Sequence, residues 1–282
     1  MIIIKTVHLL EEFIKEKKEL KLSIGFVPTM GALHQGHLSL IAKSKVTTDN
    51  TICSIFINPT QFNDVKDFEK YPVTIEQDIY LLEKSGCDVL FLPSVAEIYP
   101  SEFQQNKTYS LGFIENVFEG EHRPGHFNGV CMVVEKLLNI VQPHFLFLGQ
   151  KDYQQCIVIK KLIELMNINI DVIICETLRE QSGLAFSSRN QRLSPQAKEQ
   201  ASLIYQSFIK IKQHINESKA EELIEFAKQN FLQNGFDKID YLSIANAETL
   251  EPLSSFSKNT KTVILTAVFI NGVRLIDNML LS

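Results

Sequence analysis

Features that would place a protein in a membrane or outside the cell are missing from this sequence. The longest strongly apolar stretch, Val263 to Ile270, is less than half as long as a membrane-spanning helix. The apolar run near the N-terminus, Ile2 to Ile4, is too short for a signal peptide, and acidic residues soon follow. The five cysteines are odd in number and include no CxxC pair, so we expect buried, reduced thiols. A cytoplasmic protein that does not enter a membrane is therefore expected.

An excess of basic residues is also missing. Lys and Arg number 28 against 33 for Asp and Glu, which gives a net charge of −5. Nucleic acids and anionic membranes are bound by basic surfaces, so this balance argues against either as a partner. It remains compatible with a local basic pocket for a small polyphosphate. The chain has no internal repeat and no low-complexity linker, and its 282 residues suggest two domains at about 150 residues each.

The first part of the chain alternates short apolar runs with segments of helical periodicity. The predicted helices are Val7 to Leu20, His37 to Val46, Ile75 to Lys84, Asn128 to Val141 and Tyr153 to Met166. The predicted strands are Leu22 to Val27, Thr51 to Ile57, Asp88 to Leu92, Phe145 to Leu148 and Ile168 to Cys175. This alternation is typical of βαβ units, so residues 1–176 are expected to form an α/β domain, a Rossmann-like parallel sheet with helices on both faces.

The pattern changes beyond about Thr177. Two helices, Pro195 to Ile215 and Lys219 to Asn234, precede strands at Asp240 to Ala245, Thr262 to Ile270 and Val273 to Ile276. Helices followed by strands are typical of an α+β domain. We therefore expect residues 177–282 to form a second, smaller domain packed tightly against the first.

Polar motifs follow directly on predicted strands at Thr29 to His37, Asn58 to Phe62 and Gly149 to Gln155. In a parallel sheet, the carboxyl ends of the strands lie at one edge, beside helix N-termini, and ligands bind there. The sequence therefore predicts that these three loops meet at one binding site.

The motif His34-Gln35-Gly36-His37 places two imidazoles three residues apart, on one face if a helix begins here. The N-terminus of a helix favours a phosphate, and imidazole donors can stabilise charge that develops on it. Gly36 would let a ligand approach closely. The plainer interpretation is that one histidine caps the helix and the other lies at the surface. A zinc site would need a third ligand at a defined spacing, and none is evident.

The other candidate residues carry weaker signals. Lys151 can neutralise phosphate oxygens, whereas Asp152 can bind ribose hydroxyls or simply cap a helix. Two hydroxyls and a guanidinium in Ser187-Ser188-Arg189 suit a polyphosphate, although such a loop is usually only a turn. Gln61 and Gln155 offer neutral amides. Asp78 is a lone carboxylate, for which solvation is more common than metal binding.

The order and wording of these motifs are more specific than any one of them. The segments concerned are Pro28 to Leu38, Phe56 to Phe62, Glu119 to Val130, Phe147 to Gln155 and Gly183 to Asn190, and Arg274 to Asn278 also fits. They closely resemble the pantothenate synthetase family, and the likeness spans essentially the whole chain. The resemblance implies a Rossmann-like nucleotidyltransferase domain with the HxGH signature, a C-terminal lid domain and a homodimer.

The resemblance also implies a reaction and its site. Pantoate, ATP and β-alanine would give pantothenate, AMP and pyrophosphate through a pantoyl-adenylate, with Mg²⁺ accompanying ATP. Mg²⁺ could bind ATP alone or also Asp78, the candidate metal ligand, and the residues leave both alternatives open. The catalytic residues would be His37, as proton donor, with His34 and Lys151, and Gln61 and Gln155 would bind pantoate. The matching ATP-site positions are Met30, Gly31, Ala32, Leu33, His34, Gln35, Gly36, His37, Gly149, Gln150, Lys151, Asp152, Leu178, Phe186, Ser187, Ser188 and Arg189.

Two departures from the family pattern, Val73 in place of an arginine and Ser182 in place of an aspartate, bear on local loop anchoring.

Three rival functions would require other residues or surfaces. An HxGH enzyme that transfers AMP to a phosphorylated acceptor would need basic residues in place of Gln61 and Gln155. An aminoacyl-tRNA synthetase would need an RNA-binding surface. A silent nucleotide-binding module would be expected to have lost one of the histidines, Lys151 or Arg189.

Overall fold

A computed structural model describes residues 1–62, 71–100, 107–215, 219–256 and 260–281. Six parallel strands form one sheet in the order β1-β4-β3-β2-β5-β6. Their bounds are β1 Ile2–Ile4, β2 Ile24–Thr29, β3 Asn50–Ile55, β4 Val89–Phe91, β5 Phe145–Gly149 and β6 Asp171–Cys175. The predicted parallel α/β sheet is confirmed, with the addition of β1, whose three residues are too few for periodicity to reveal.

Helices cover both faces of this sheet, as predicted. The helices of the first part of the chain are α1 Val7–Glu19, α2 Gln35–Thr47, α3 Ile75–Lys84, α4 Val95–Ile98, α5 Glu119–His122, α6 His126–Val141 and α7 Tyr153–Met166. Buried residues of α1, α6 and α7 share one apolar core with alternate residues of the strands. Buried residues of α2 and α3 share a second core on the opposite face. This alternation follows from the period of two of a β-strand.

The sheet has its topological switch point between β2 and β5. From β2 the chain proceeds to β3 on one side, whereas β5 pairs with the other side of β2. The loops that follow β2 and β5 therefore diverge from neighbouring strands, and the crevice between them is where ligands bind in open α/β sheets. Gly25 of β2 lets α2 lie close to the sheet, because a Cβ there would meet the Ser44 hydroxyl at 2.3 Å.

The C-terminal part has its own sheet and its own core. Three antiparallel strands, β7 Lys238–Asn246, β8 Thr262–Ile270 and β9 Val273–Leu280, pack against α8 Pro195–Ala201, α9 Leu203–His214 and α10 Ala220–Gln233. The predicted helix over Pro195 to Ile215 is therefore two helices, and β9 continues four residues beyond its predicted end. The predicted domain boundary between residues 176 and 177 stays a prediction.

A smaller apolar cluster joins the two parts. Phe118 and Tyr153 of the first part pack with Ala245, Val263 and Leu265 of the C-terminal sheet. Four of the five cysteines are buried and all five are free, in agreement with the expectation of reduced thiols. Within the described ranges, no helix has the length and apolar character needed to span a bilayer.

Candidate active site

A large open cleft lies at the carboxyl edge of the parallel sheet and extends to the C-terminal part. Its cavity volume is about 370 Å³, within the roughly 300–1,000 Å³ typical of a site that holds a small ligand. The predicted site residues that line it are Met30, His34, Gly36, His37, Gln61, Gly149, Lys151, Asp152, Gln155, Leu178, Phe186, Ser187, Ser188 and Arg189. The three polar loops that follow the strands therefore meet at one cleft, as the sequence predicts.

Five of the predicted ATP-site positions do not line this cleft. They are Gly31, Ala32, Leu33, Gln35 and Gln150. Gly31 and Ala32 form a turn with φ of 80° and 49°, and Ala32 and Leu33 are buried. Gln35 is exposed, whereas the Gln150 side chain bonds to Asn278. These positions shape the loops rather than present their side chains to the cleft.

The two histidines of the HxGH motif form a capping box at the start of α2. The backbone N–H of Gly36 donates to His34 Nδ1 at 3.2 Å, and the N–H of His34 donates to His37 Nδ1 at 3.3 Å. Because each Nδ1 accepts a hydrogen bond, the proton of each neutral ring lies on Nε2. Both rings therefore keep an Nε2–H donor that the cap does not use. Capping and ligand binding are compatible here, and the surface position considered for one histidine is wrong.

Both imidazoles are held in the neutral form. Burial, followed by the charge of Lys151, lowers the pKa of His34 to about 4. Burial, followed by the neighbouring His34 and Lys151, lowers the pKa of His37 to about 3. The rings stack with their centroids 4.1 Å apart. At neutral pH, this pair can donate hydrogen bonds to anionic oxygens without carrying a charge itself.

Gly36 makes room for the first histidine. A Cβ at this position would lie 2.9 Å from His34 Cε1 and 3.5 Å from Phe186 Cβ. Gly36 also lines the cleft, and the close approach of a ligand at this position stays a prediction. Phe186, from the loop before the serine-arginine motif, stacks on the His34 ring at a centroid distance of 6.3 Å.

Asp78 is not the solvated carboxylate that its sequence context favours. It is 1% exposed, and it accepts hydrogen bonds from the N–H groups of Ala32, at 3.0 Å, and Leu33, at 2.8 Å. Thr74 Oγ1 also donates to it, at 3.2 Å. Both oxygens are thus committed to the turn before His34. Among the described residues, no group of three or more His, Cys, Asp or Glu side chains is arranged to hold a metal ion.

Gln61 is fixed in the cleft by three neighbours. Its Nε2 lies 2.9 Å from Met30 Sδ, and its Oε1 accepts from Asn58 Nδ2 at 3.2 Å. Its backbone carbonyl accepts from His126 Nδ1 at 2.8 Å. Gly129 allows α6 to pack against this loop, because a Cβ there would lie 2.3 Å from the Thr60 carbonyl oxygen. The sequence placed the Asn58 to Phe62 loop at the site but singled out only Gln61 within it.

Two adjacent glutamines at the start of α7 have different roles. Gln154 is buried, accepts from the Glu119 N–H at 3.0 Å, and donates to the carbonyls of Ile114 and Val117. Gln155 instead lines the cleft. Gln155, the glutamine chosen from the sequence, therefore faces the main cleft, whereas Gln154 holds the segment from Ile114 to Glu119.

The serine-arginine loop lines the same cleft as the histidines. Ser187 caps a short 3₁₀ helix, Ser188–Arg192, and accepts from the Arg189 N–H at 3.3 Å. Ser188 forms a side-chain hydrogen bond with Tyr71, whose phenol pKa is raised to about 12 by burial. Tyr71 lines the same cleft and is a further residue that sequence reasoning missed.

The segment Arg123 to Phe127 contributes Arg123 and His126 to the lining of the cleft, where they belong to a network of hydrogen bonds and ion pairs. His126 has its pKa lowered to about 4, mainly by burial and then by Arg123. Its Nδ1 faces the Gln61 carbonyl, so that ring atom carries the proton and Nε2 accepts from Arg123 Nη1 at 3.1 Å. Glu119 lies 3.8 Å from Arg123 and also pairs with Arg274 of β9.

Comparison with known proteins identifies the family. The family model described as Pantoate-beta-alanine ligase matches residues 2–280. The chain belongs to the pantoate–β-alanine ligase family. Among its relatives, the pantothenate synthetase of Cytophaga hutchinsonii is 45% identical over 286 residues, which cover 100% of this chain and 99% of that protein. The pantothenate synthetase of Thermotoga petrophila is 42% identical over 290 residues and matches 100% of both.

Solved structures of the same family superpose on the whole chain. Pantothenate synthetase from Thermus thermophilus gives a TM-score of 0.91 at 34% identity, covering 100% of this chain and 99% of that one. Pantoate-beta-alanine ligase from Francisella tularensis, complexed with beta-gamma ATP and beta-alanine, gives 0.81 at 40% identity, covering 100% and 98%. The resemblance inferred from the motifs is confirmed, and the chain is an enzyme, a ligase of pantothenate biosynthesis.

The two departures from the family pattern lie away from the contacts of the cleft described above. Val73 is 67% exposed, and Ser182 accepts a hydrogen bond from the Leu184 N–H at 3.4 Å within its own turn. Neither residue lines the cleft.

Proposed function

We propose that this ligase condenses pantoate with β-alanine in two steps, consuming ATP and releasing AMP and pyrophosphate. The observation that carries this proposal is one cleft lined by two kinds of polar group. Donors suited to phosphate oxygens are His34, His37, Lys151 and Ser187 to Arg189, and neutral amides suited to an uncharged hydroxyl or a carboxylate are Gln61 and Gln155. The ligand description of the Francisella tularensis relative, with a nucleotide and β-alanine together, supports the same assignment.

In the first step, a carboxylate oxygen of pantoate attacks the α-phosphorus of ATP, and the bond to the bridging oxygen of pyrophosphate breaks. Catalysis of such a transfer consists mainly of positioning and charge stabilisation. The Nε2–H groups of His34 and His37 and the Lys151 ammonium would hold the α-phosphate, with His37 as the principal donor. Ser187, Ser188 and Arg189 would bind the departing pyrophosphate.

In the second step, the neutral amine of β-alanine attacks the carbonyl carbon of pantoyl-adenylate. The carbon–oxygen bond to AMP breaks, and the nitrogen loses a proton to solvent. Because an acyl-adenylate is readily hydrolysed, the cleft must exclude water between the steps. Phe186 stacks on His34, and Tyr71 is hydrogen-bonded to Ser188 in the same cleft, so these side chains are suited to this exclusion.

Magnesium is assigned to the nucleotide rather than to the protein. Mg²⁺ retains several waters and binds through substrate phosphates with few protein carboxylates. Asp78 does not fit the part of its ligand, because both of its oxygens already bind the backbone of the turn at Ala32 and Leu33. No step of the mechanism depends on a protein ligand for the metal. We also propose that the protein is a homodimer in the cytoplasm. In each chain, the boundary between the two domains would lie between residues 176 and 177.

The proposal is tested by isotope exchange. With ATP, pantoate and labelled pyrophosphate but no β-alanine, reversible adenylation predicts that label enters ATP only when pantoate is present. Exchange that ignores pantoate, or that appears only with β-alanine, would contradict the two-step mechanism. In the same assay, Lys151→Ala removes the lysine proposed to hold the α-phosphate, and Lys161→Ala is its matched control. Lys161 pairs with Glu164 on an exposed face of α7.

A further inference from the structure

Asn278 belongs to the C-terminal sheet, but its side chain bonds to the loop that carries Lys151. Its Nδ2 donates to the carbonyl oxygens of Gln150 and Lys151, each at 2.8 Å. Its Oδ1 accepts from Gln150 Nε2 at 3.2 Å. Asn278 is 2% exposed, so water is not available to replace these bonds if they are lost.

The chemistry of this contact requires a carboxamide. Two backbone carbonyls need two donors, and the Gln150 amide needs an acceptor, which is the set of groups that an asparagine side chain offers. An aspartate of the same shape would direct an oxygen at two carbonyl oxygens. An alanine would remove the donor that both carbonyls share.

Asn278 is itself held firmly. Its backbone N–H donates to Asp277 Oδ1 at 2.8 Å, and its carbonyl accepts from Arg179 Nη2 at 3.1 Å. Arg179 and Asp277 form a two-pronged ion pair, at 2.6 and 2.9 Å. The backbone of Asn278 is therefore fixed on both sides, and this fixes the position from which its side-chain amide binds the loop.

The loop in turn determines where the Lys151 side chain points. Lys151 follows β5 in a short 3₁₀ turn, Gln150–Asp152, that has no side-chain cap of its own. With its carbonyl fixed by Asn278, the backbone of Lys151 has little freedom, and its side chain lies in the cleft, 20% exposed and 3.7 Å from Asp152.

We propose that Asn278 is a positioning residue for adenylation, which fixes the loop of residues 149–152 so that the Lys151 ammonium meets the α-phosphate. This inference rests on the proposed function and deepens it, because it assigns to the C-terminal sheet a part in phosphoryl transfer as well as in covering the cleft. Asn278 does not line the main cleft but a smaller pocket that shares Lys151 with it, so its effect on the α-phosphate passes through Lys151.

A double-mutant cycle tests this dependence. Asn278→Ala, Lys151→Ala and the double variant are compared by kcat for pantoate-dependent pyrophosphate release, in single turnovers with enzyme in excess. A misplaced Lys151 should lower kcat about 10²-fold in Asn278→Ala. In the Lys151→Ala background, the same change should have almost no further effect, because the two residues act as one unit.

Thermal unfolding of each variant sets a temperature at which all are folded. Asn278→Asp keeps the volume and loses the donors, so it replaces Asn278→Ala if that variant does not fold. The matched control is Asn246→Ala, in the same sheet, whose side chain binds the N–H groups of Glu248 and Thr249 in its own turn. We expect the control to change kcat by less than about twofold, as for a surface substitution remote from the chemistry.

The outcomes separate the two proposals. Near-normal pyrophosphate release in Lys151→Ala would refute the role given to Lys151 in the proposed function. If Lys151→Ala is impaired but the substitution of Asn278 lowers kcat by the same factor in both backgrounds, the positioning role is wrong. The same conclusion follows if Asn278→Asp retains the kcat of the unsubstituted enzyme.

Discussion

The two loops that flank the switch point are held in place by different parts of the chain. The turn before α2 is held within the first part of the chain, by the capping box of His34 and His37 and by Asp78, 46 residues from Ala32. The loop after β5 is held from the C-terminal sheet, by Asn278, 127 residues from Lys151. The backbone of the histidine turn is therefore fixed by contacts within the first part, where Phe186 only stacks on the His34 ring, whereas the backbone of Lys151 is fixed by contact between the two parts of the molecule.

The largest effect on stability is expected where the C-terminal sheet grips the loop that leads to the serine-arginine motif. Asp277→Ala leaves Arg179, which is 13% exposed and stacks on Tyr205, without its carboxylate. Breaking a buried pair in this way typically costs about 3–5 kcal/mol of the free energy of unfolding. Urea unfolding measures the loss.

The control for this prediction is Glu164→Ala, which removes an exposed ion pair with Lys161 and should cost no more than about 1 kcal/mol. Equal losses in Asp277→Ala and Glu164→Ala would mean that the C-terminal sheet does not hold the loop.

His37→Ala should cause the next largest effect. It should lower the catalytic rate rather than the free energy of unfolding. Loss of one donor to a developing charge lowers kcat by about 10²–10³, or roughly 3–4 kcal/mol. Pantoate-dependent pyrophosphate release measures it, and circular dichroism checks that the variant is folded. His8→Ala, at an exposed position of α1, should leave the rate unchanged. A His37→Ala enzyme as fast as His8→Ala would remove His37 from the mechanism.

Asp78→Asn tests the support of the histidine turn. An asparagine offers one oxygen where two N–H groups and a hydroxyl now bind two oxygens, so one donor loses its partner. Hydrogen bonds to charged groups contribute about 1.5–3 kcal/mol each, and we expect a loss of this size in the free energy of unfolding.

Asp49→Asn is the matched control for Asp78→Asn, because Asp49 binds Ser23 at an exposed position. If both variants lose the same small amount of stability, Asp78 does not support the turn as described.

The buried histidines predict a smaller effect, which depends on pH. Burial lowers the pKa of His126 to about 4, below the value of 6.5 expected in the unfolded chain. Between these values, the unfolded state binds a proton that the folded state does not, so stability falls as pH is lowered from 6.5 towards 4. The slope is about 1.4 kcal/mol per pH unit for each such histidine.

His126→Gln should reduce the slope of stability against pH by about 1.4 kcal/mol per pH unit, the contribution of one proton. The comparison is His8→Gln, because His8 is exposed. The measurement is the free energy of unfolding in urea at several pH values between 6.5 and 4.5. Parallel curves for the two variants would contradict the account of a neutral, buried His126.

The sequence predicts the elements with clear periodicity and misses what depends on long-range contacts. The bounds of α3, α7 and β8 are those expected from apolar spacing. The predicted end of β9 is too early because the polar pair Asp277–Asn278 interrupts the apolar pattern of the strand. Both residues are nevertheless buried, through contacts with residues far away in the sequence. Periodicity alone does not foresee such partners.

The same limit applies to the candidate site. Residue types and their order along the chain indicated the histidines, the lysine loop and the serine-arginine loop, which the structure brings to one cleft. They did not indicate that Asp78 is buried beneath a turn, that Gly36 makes room for His34, or that Tyr71 belongs to the cleft. Each of these depends on which side chain folds back on which loop.

The central claim, that the cleft holds an acyl-adenylate made from pantoate, is tested most directly with pantoate labelled with ¹⁸O in its carboxylate. Attack of that carboxylate on the α-phosphorus, followed by breakage of the carbon–oxygen bond by β-alanine, leaves one labelled oxygen on AMP. Mass spectrometry of the AMP formed should therefore find one ¹⁸O atom per molecule. AMP without label would contradict the account.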